Sequence, residues 1–110
     1  MMKKGGITVW SEIVASYQAR PRDVCTRPLR GLGRWFYVWA DRSNVYVKNS
    51  KENRPSCCIQ GQRKLNPDEC QAMYELYKRR CRGERVSQEA IATTVNQVYW
   101  YGIFYDLGHR

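Results

Sequence analysis

The sequence predicts an α+β fold, and three observations carry that prediction. Apolar residues recur at helical spacing between Thr8 and Ala19. Two runs rich in aromatic and β-branched residues flank a turn tetrapeptide in the middle of the chain, and a capped amphipathic helix opens at Asn66. The expected order is an N-terminal helix, an antiparallel β-hairpin or three-stranded meander, and two C-terminal helices. A chain of 110 residues, 43% hydrophobic and 26% charged, suits a single domain around one core, with residues 1–6 as a flexible tail.

In the first helix Val9 or Trp10, Ile13, Val14 and Tyr17 share one face, Thr8 is placed to cap, and Pro21 blocks continuation. Arg20 to Arg34 follows, with two prolines, two glycines and the arginines Arg20, Arg22, Arg27, Arg30 and Arg34; it reads as one long loop. Trp35 to Trp39 and Val45 to Val47 then bracket Asp41-Arg42-Ser43-Asn44, the pattern of a hairpin. Cys57-Cys58-Ile59 is a candidate third strand, closed by Gly61. Asn66 is a preferred N-cap, Pro67 sits at the first helical position, and Glu69 is spaced for a capping box. Cys70, Met73, Leu76, Tyr77 and Cys81 form that helix's apolar face, and Gly83 stands where a C-terminal cap belongs. From Ser87 the helical period resumes. Ile91, Val95, Val98, Gly102 and Tyr105 fall on one stripe, with Trp100, Phe104 and Leu107 opposite. The rival for Val98 to Tyr105 is a buried strand, but no Gly, Pro or turn cluster separates it from the helical pattern before it.

The net charge is +9 and is uneven: residues 1–65 hold 13 basic and 4 acidic side chains, residues 66–110 six of each. Two basic clusters therefore read differently. Lys78-Arg79-Arg80-Cys81-Arg82 ends a helix that begins with Asp68 and Glu69, where cations complement the helix dipole. The arginines of the Arg20–Arg34 segment have only Asp23 among them. Arg30-Gly31-Leu32-Gly33-Arg34 could bring backbone N–H groups and guanidinium groups to an anion, or serve as a solvated connector. Beyond it Trp35, Tyr37 and Trp39 share one strand face, which is either core or a platform for stacking unpaired bases.

Other chemistry finds little support. The five cysteines form no C-x-x-C pair, and the only histidine, His109, is next to last and expected to fray. Reduced thiols acting as small hydrophobes are expected, with no metal, no cofactor and no catalytic residue. Val86 to Ala92 has the character of a helix-turn-helix opening. Asn96 then occupies the position of the glycine turn, and Gly102 the position of a bulky anchor. No apolar run is long enough for a membrane span, and the lysines at the start lack the apolar stretch of a signal peptide, so a cytoplasmic protein is expected.

Arg54-Pro55-Ser56-Cys57, Arg63-Lys64-Leu65 and Asn96 to Phe104 resemble uncharacterised small proteins encoded by mobile gene cassettes of bacterial integrons. The resemblance implies a bacterial, cytoplasmic, free-standing product and carries over no functional residue.

The leading expectation is a non-enzymatic protein that binds nucleic acid or another polyanion through Arg20, Arg22, Arg27, Arg30 and Arg34 beside Trp35, Tyr37 and Trp39. The alternative is a homodimer, structural or binding a small molecule, with an interface built from Trp100, Phe104 and Leu107.

Overall fold

The structure, a computed structural model, describes residues 6–109. Of the expected tail, residues 1–5 lie outside the described residues, and Gly6 already belongs to the first helix. That helix, α1, is Gly6–Ala19 and starts two residues before Thr8, which therefore lies inside it. The strands are β1 (Arg22–Cys25), β2 (Trp35–Asp41), β3 (Asn44–Asn49) and β4 (Gln62–Lys64), forming one antiparallel sheet in chain order. A 3₁₀ turn, Pro67–Glu69, leads into α2 (Cys70–Cys81), followed by α3 (Ser87–Thr93) and α4 (Gln97–Asp106). The α+β class and its helix–sheet–helix order are as the sequence predicts.

The hairpin is built on its turn. Asp41 pairs with Asn44 across Arg42-Ser43, and the register continues through Trp39–Tyr46 and Tyr37–Lys48. Opposed residues share a sheet face, so Phe36, Val38, Val45 and Val47 point together into the core, each without exposed surface. Val24 of β1 joins them, opposite Phe36. α1 lies across β2 and β3, α4 lies against β1, and α2 packs outside both helices. Gly102 is what lets α4 approach the sheet. A side-chain carbon there would sit 2.8 Å from the Cys25 carbonyl oxygen and 3.1 Å from the Phe36 ring.

Several elements differ from expectation. Arg20–Arg34 is not one loop, because Arg22–Cys25 pairs with Trp35–Val38 as an edge strand. The third partner of the hairpin is β4, not Cys57–Ile59. Cys57 and Ile59 instead bury their side chains, while Trp35 exchanges backbone hydrogen bonds with Pro55 and Cys57 (both 2.8 Å). The expected Ser87–Tyr105 helix breaks at Thr94, whose backbone is extended (φ −157°, ψ 154°), and the Asn96 N–H donates to Thr94 Oγ1 (2.9 Å). Past the break α4 turns its aromatic side inward: Trp100 and Phe104 have no exposed surface, whereas Ile91, Val95 and Val98 face solvent. Val98 to Tyr105 is helical.

Asn66 caps as predicted, accepting from the Asp68 N–H (3.0 Å), but Glu69 does not complete a box. Its Oε1 accepts from the Trp100 indole N–H at 3.3 Å, tying the start of α2 to α4. At the other end Gly83 (φ +91°) and Glu84 donate to the carbonyls of Arg80 and Arg79, closing α2 in a Schellman motif. Cys81 faces solvent and Tyr74 takes its expected place in the core. His109 is docked rather than frayed. Its ring lies between Glu12 of α1 (Nε2 to Oε1, 2.9 Å) and Tyr74 of α2 (Nδ1 to Oη, 3.2 Å), and its carbonyl accepts from the Tyr77 hydroxyl.

Candidate functional site on the open sheet face

The helices cover one face of the sheet and leave the other without a helical layer. Alternation along each strand places Asp23 of β1, Trp35, Tyr37 and Trp39 of β2, Tyr46 and Lys48 of β3, and Gln62 and Lys64 of β4 on that open face. Their ring geometry is specific. Trp39 and Tyr46, directly opposed, stack with centroids 5.2 Å apart and planes at 16°, and Tyr37 adjoins Trp39 at 5.9 Å. Lys48 Nζ lies 5.5 Å from the Tyr37 ring centroid and 5.1 Å from that of Trp39, and Lys51 Nζ lies 4.9 Å from Tyr37. All four open-face aromatics are half-buried, so each ring packs on its neighbours and shows part of its surface to solvent.

The Trp35 end of the face is closed by the loop that leaves β3. Asp23 accepts hydrogen bonds from the Ser50 hydroxyl (2.6 Å), from the backbone N–H groups of Lys51, Glu52 and Asn53 (3.1–3.2 Å) and from the Asn53 amide (2.9 Å). To reach β1 the loop crosses over β2. Burial alone would raise the Asp23 carboxyl, but these hydrogen bonds outweigh it and hold the group below its ordinary range. The one acid of the arginine-rich segment is therefore occupied inside the chain. Beside it a hollow of about 520 Å³ runs from Tyr37 to Arg20, bordered by Lys51 and Asp106.

The five arginines separate. Arg22 points to the helix side, pairs with Asp106 (2.7 Å), donates to Ser16 Oγ and lies over the Tyr17 ring at 4.3 Å. Asp106 also accepts from the Tyr17 hydroxyl (2.7 Å), and burial together with that carboxylate pushes the phenol well above its ordinary range. Arg27 covers the Tyr105 ring at 3.7 Å. Arg34 is exposed at the base of the β1–β2 loop, with one long bond to the Ser56 carbonyl (3.4 Å). Arg30 lines a groove on the helix side. Of the five, Arg20 and Arg22 line the hollow that reaches Tyr37, and Arg22 is paired there with Asp106. The structure thus brings Tyr37 and Trp39 together with Tyr46, Lys48, Lys51 and Lys64, which the sequence reading did not single out. The signal was present: once Asp41 and Asn44 close the turn, Tyr46 and Lys48 must face Trp39 and Tyr37.

The second basic cluster is engaged at home. Arg79 holds Glu89 through two nitrogens (2.8 and 2.9 Å) and Glu84 through a third (2.7 Å), Arg80 donates to the Arg27 carbonyl and lies over Tyr101, and Lys78 lies over Tyr74. A groove-reading helix is ruled out by packing, since α4 buries Tyr99 through Phe104. The expected dimer contact also meets a correction. Trp100 and Phe104 stack on each other inside the protomer, 5.8 Å apart, and only Leu107 retains surface.

Thiol chemistry gains no partner. Cys81 shares a hollow with His109, but both imidazole nitrogens are taken by Glu12 and Tyr74. Cys58, like Cys81, faces solvent rather than acting as a buried hydrophobe, while burial raises the Cys57 thiol and pushes Cys70 up to about 12. Among the described residues no three His, Cys, Asp or Glu side chains converge as metal ligands, and no helix is long and apolar enough to cross a membrane. In comparisons with known proteins, no family model, curated protein or solved structure matches the chain.

Proposed function

We propose that the protein binds single-stranded nucleic acid on the open face of its sheet, without catalysis. The observation that carries this reading is the row Tyr37–Trp39–Tyr46 on a face with no helical cover, flanked by Lys48, Lys51 and Lys64, which make no ion pair among the described residues. Unpaired bases stack on such rings whatever their sequence, and ammonium groups beside them meet the phosphates. A duplex hides its base faces, so the platform favours single strands.

The test is a titration of fluorescein-labelled oligothymidylate followed by anisotropy at several salt concentrations, with a duplex of the same length as competitor. Three to five phosphate contacts give a slope of log affinity against log salt of roughly −2 to −3.5. No binding at about 50 mM salt, binding indifferent to salt, or equal affinity for the duplex each overturns the proposal.

A further inference from the structure

We infer that a second site, away from the sheet's open face, takes a small organic anion with an apolar body. It is a groove of about 830 Å³ between the β1–β2 loop, the end of α2, α3 and the start of α4. Three features of its wall specify the ligand. Leu29, Ile91 and Val98 line it and are 79%, 59% and 44% exposed, apolar surface that no other described residue covers. Arg30 and Arg85 also line it without an ion-pair partner among the described residues, while the acids of the same wall, Glu84 and Glu89, are both held by Arg79. The local charge left over is positive.

The third feature points inward. Tyr101, 93% buried, and Gln97, half-buried, belong to the wall, and the Tyr101 hydroxyl and Gln97 Oε1 are buried with no hydrogen-bond partner. Native chains leave few such groups unmatched, and each one calls for a partner. Gln97 Oε1 can only accept, so the partner carries an N–H or O–H as well as its anionic group. Both residues line the groove, so a turn of their side chains toward it presents these oxygens to a molecule seated inside; a flat protein surface resting on its rim does not enter far enough to meet them. The volume falls within the range of small-molecule sites, about 300–1,000 Å³.

The probe is 8-anilinonaphthalene-1-sulfonate, which joins a sulfonate, an aromatic body and one N–H, titrated into the full-length chain by fluorescence. Saturable one-to-one binding is expected, weakened roughly tenfold or more by Ile91→Asp or Arg85→Glu, substitutions at solvent-facing positions. Tyr101→Phe is expected to weaken binding about two- to tenfold while leaving the melting temperature of the free protein undiminished, because the hydroxyl it removes has no partner there. Trp39→Ala, on the other site, is expected to leave the affinity unchanged. The inference fails if the two groove variants bind as well as the wild type, or if Trp39→Ala alone abolishes binding. It also fails if neutral N-phenyl-1-naphthylamine binds equally well, or if sedimentation shows the groove buried in a dimer that Ile91→Asp dissociates.

Discussion

Replacing Trp39 by alanine separates binding from folding more cleanly than any other change on the open face. Trp39 is the centre of the row, stacked on Tyr46 at 5.2 Å, next to Tyr37 at 5.9 Å and 5.1 Å from Lys48 Nζ. A base stacked on such a ring contributes about 1–3 kcal/mol. Its loss raises Kd for oligothymidylate by roughly five- to 150-fold. The cost to the fold is smaller than for a core aromatic, because the ring is half-buried and its main structural contact is the Tyr46 pair, worth about 0.5–1.5 kcal/mol. Phe36→Ala, one residue from Tyr37 but facing the core, should instead cost about 3–5 kcal/mol and abolish binding only by unfolding. The assay is anisotropy on wild type, Trp39→Ala and Trp39→Phe, with thermal melts of each. Trp39→Phe keeps a stacking ring and should recover most of the affinity. If Trp39→Ala melts as a folded protein and binds within about twofold of wild type, stacking on this face is refuted.

The remaining predictions test the framework around the site. Asp23→Ala leaves the N–H groups of Lys51, Glu52 and Asn53 without their acceptor and should cost about 1–2 kcal/mol at neutral pH, allowing for solvent screening, as read by urea unfolding. Because the folded-state carboxyl lies below its ordinary value of 3.8, its contribution is complete above that pH and fades as pH falls through the folded value; the gap between wild type and variant should close on that side. Gly102→Val forces side-chain carbons against the Cys25 carbonyl and the Phe36 ring and should cost about 3 kcal/mol or more, seen as a loss of about 13 degrees or more in Tm. With a thiol reagent at about pH 8, Cys58 and Cys81 should react quickly and Cys57 and Cys70 only on unfolding, since burial withholds their thiolates. Lys48→Ala should lower the salt slope by about 0.7 without changing the fold, whereas Arg22→Ala should act mainly on stability through Asp106 and Tyr17.

The elements legible in the sequence were those whose local chemistry and tertiary role agree. Asn66-Pro67 and Gly83 bound α2, and Asp41 to Asn44 set the hairpin, because caps and turns act within a few residues. The edge strands were not legible. Gln62-Arg63-Lys64 is polar and exposed throughout, and Arg22 to Cys25 carries a single buried valine, so neither shows the alternation that marks a strand. The break at Thr94 was also hidden. It uses a threonine hydroxyl in place of glycine or proline, and once the chain leaves the helix the angular count no longer predicts which side of α4 is inward.

The candidate site was half legible for a related reason. Trp35, Tyr37 and Trp39 alternate within one strand and could be read from it; Tyr46, Lys48 and Lys64 join them only through register across β3 and β4. Charge counting locates less, because it treats arginine and lysine as equals. A planar guanidinium reaches several acceptors and rings at once, and Arg22, Arg27, Arg79 and Arg80 are all taken up in such internal ties. The compact, strongly hydrated ammonium groups of Lys48, Lys51 and Lys64 stay at the surface of the aromatic row. Thus part of the arginine charge is spent inside the fold, and a small set of lysines flanks the aromatic row of the open face. The hairpin register, set by the turn Asp41 to Asn44, is what brings Tyr46 and Lys48 opposite Trp39 and Tyr37.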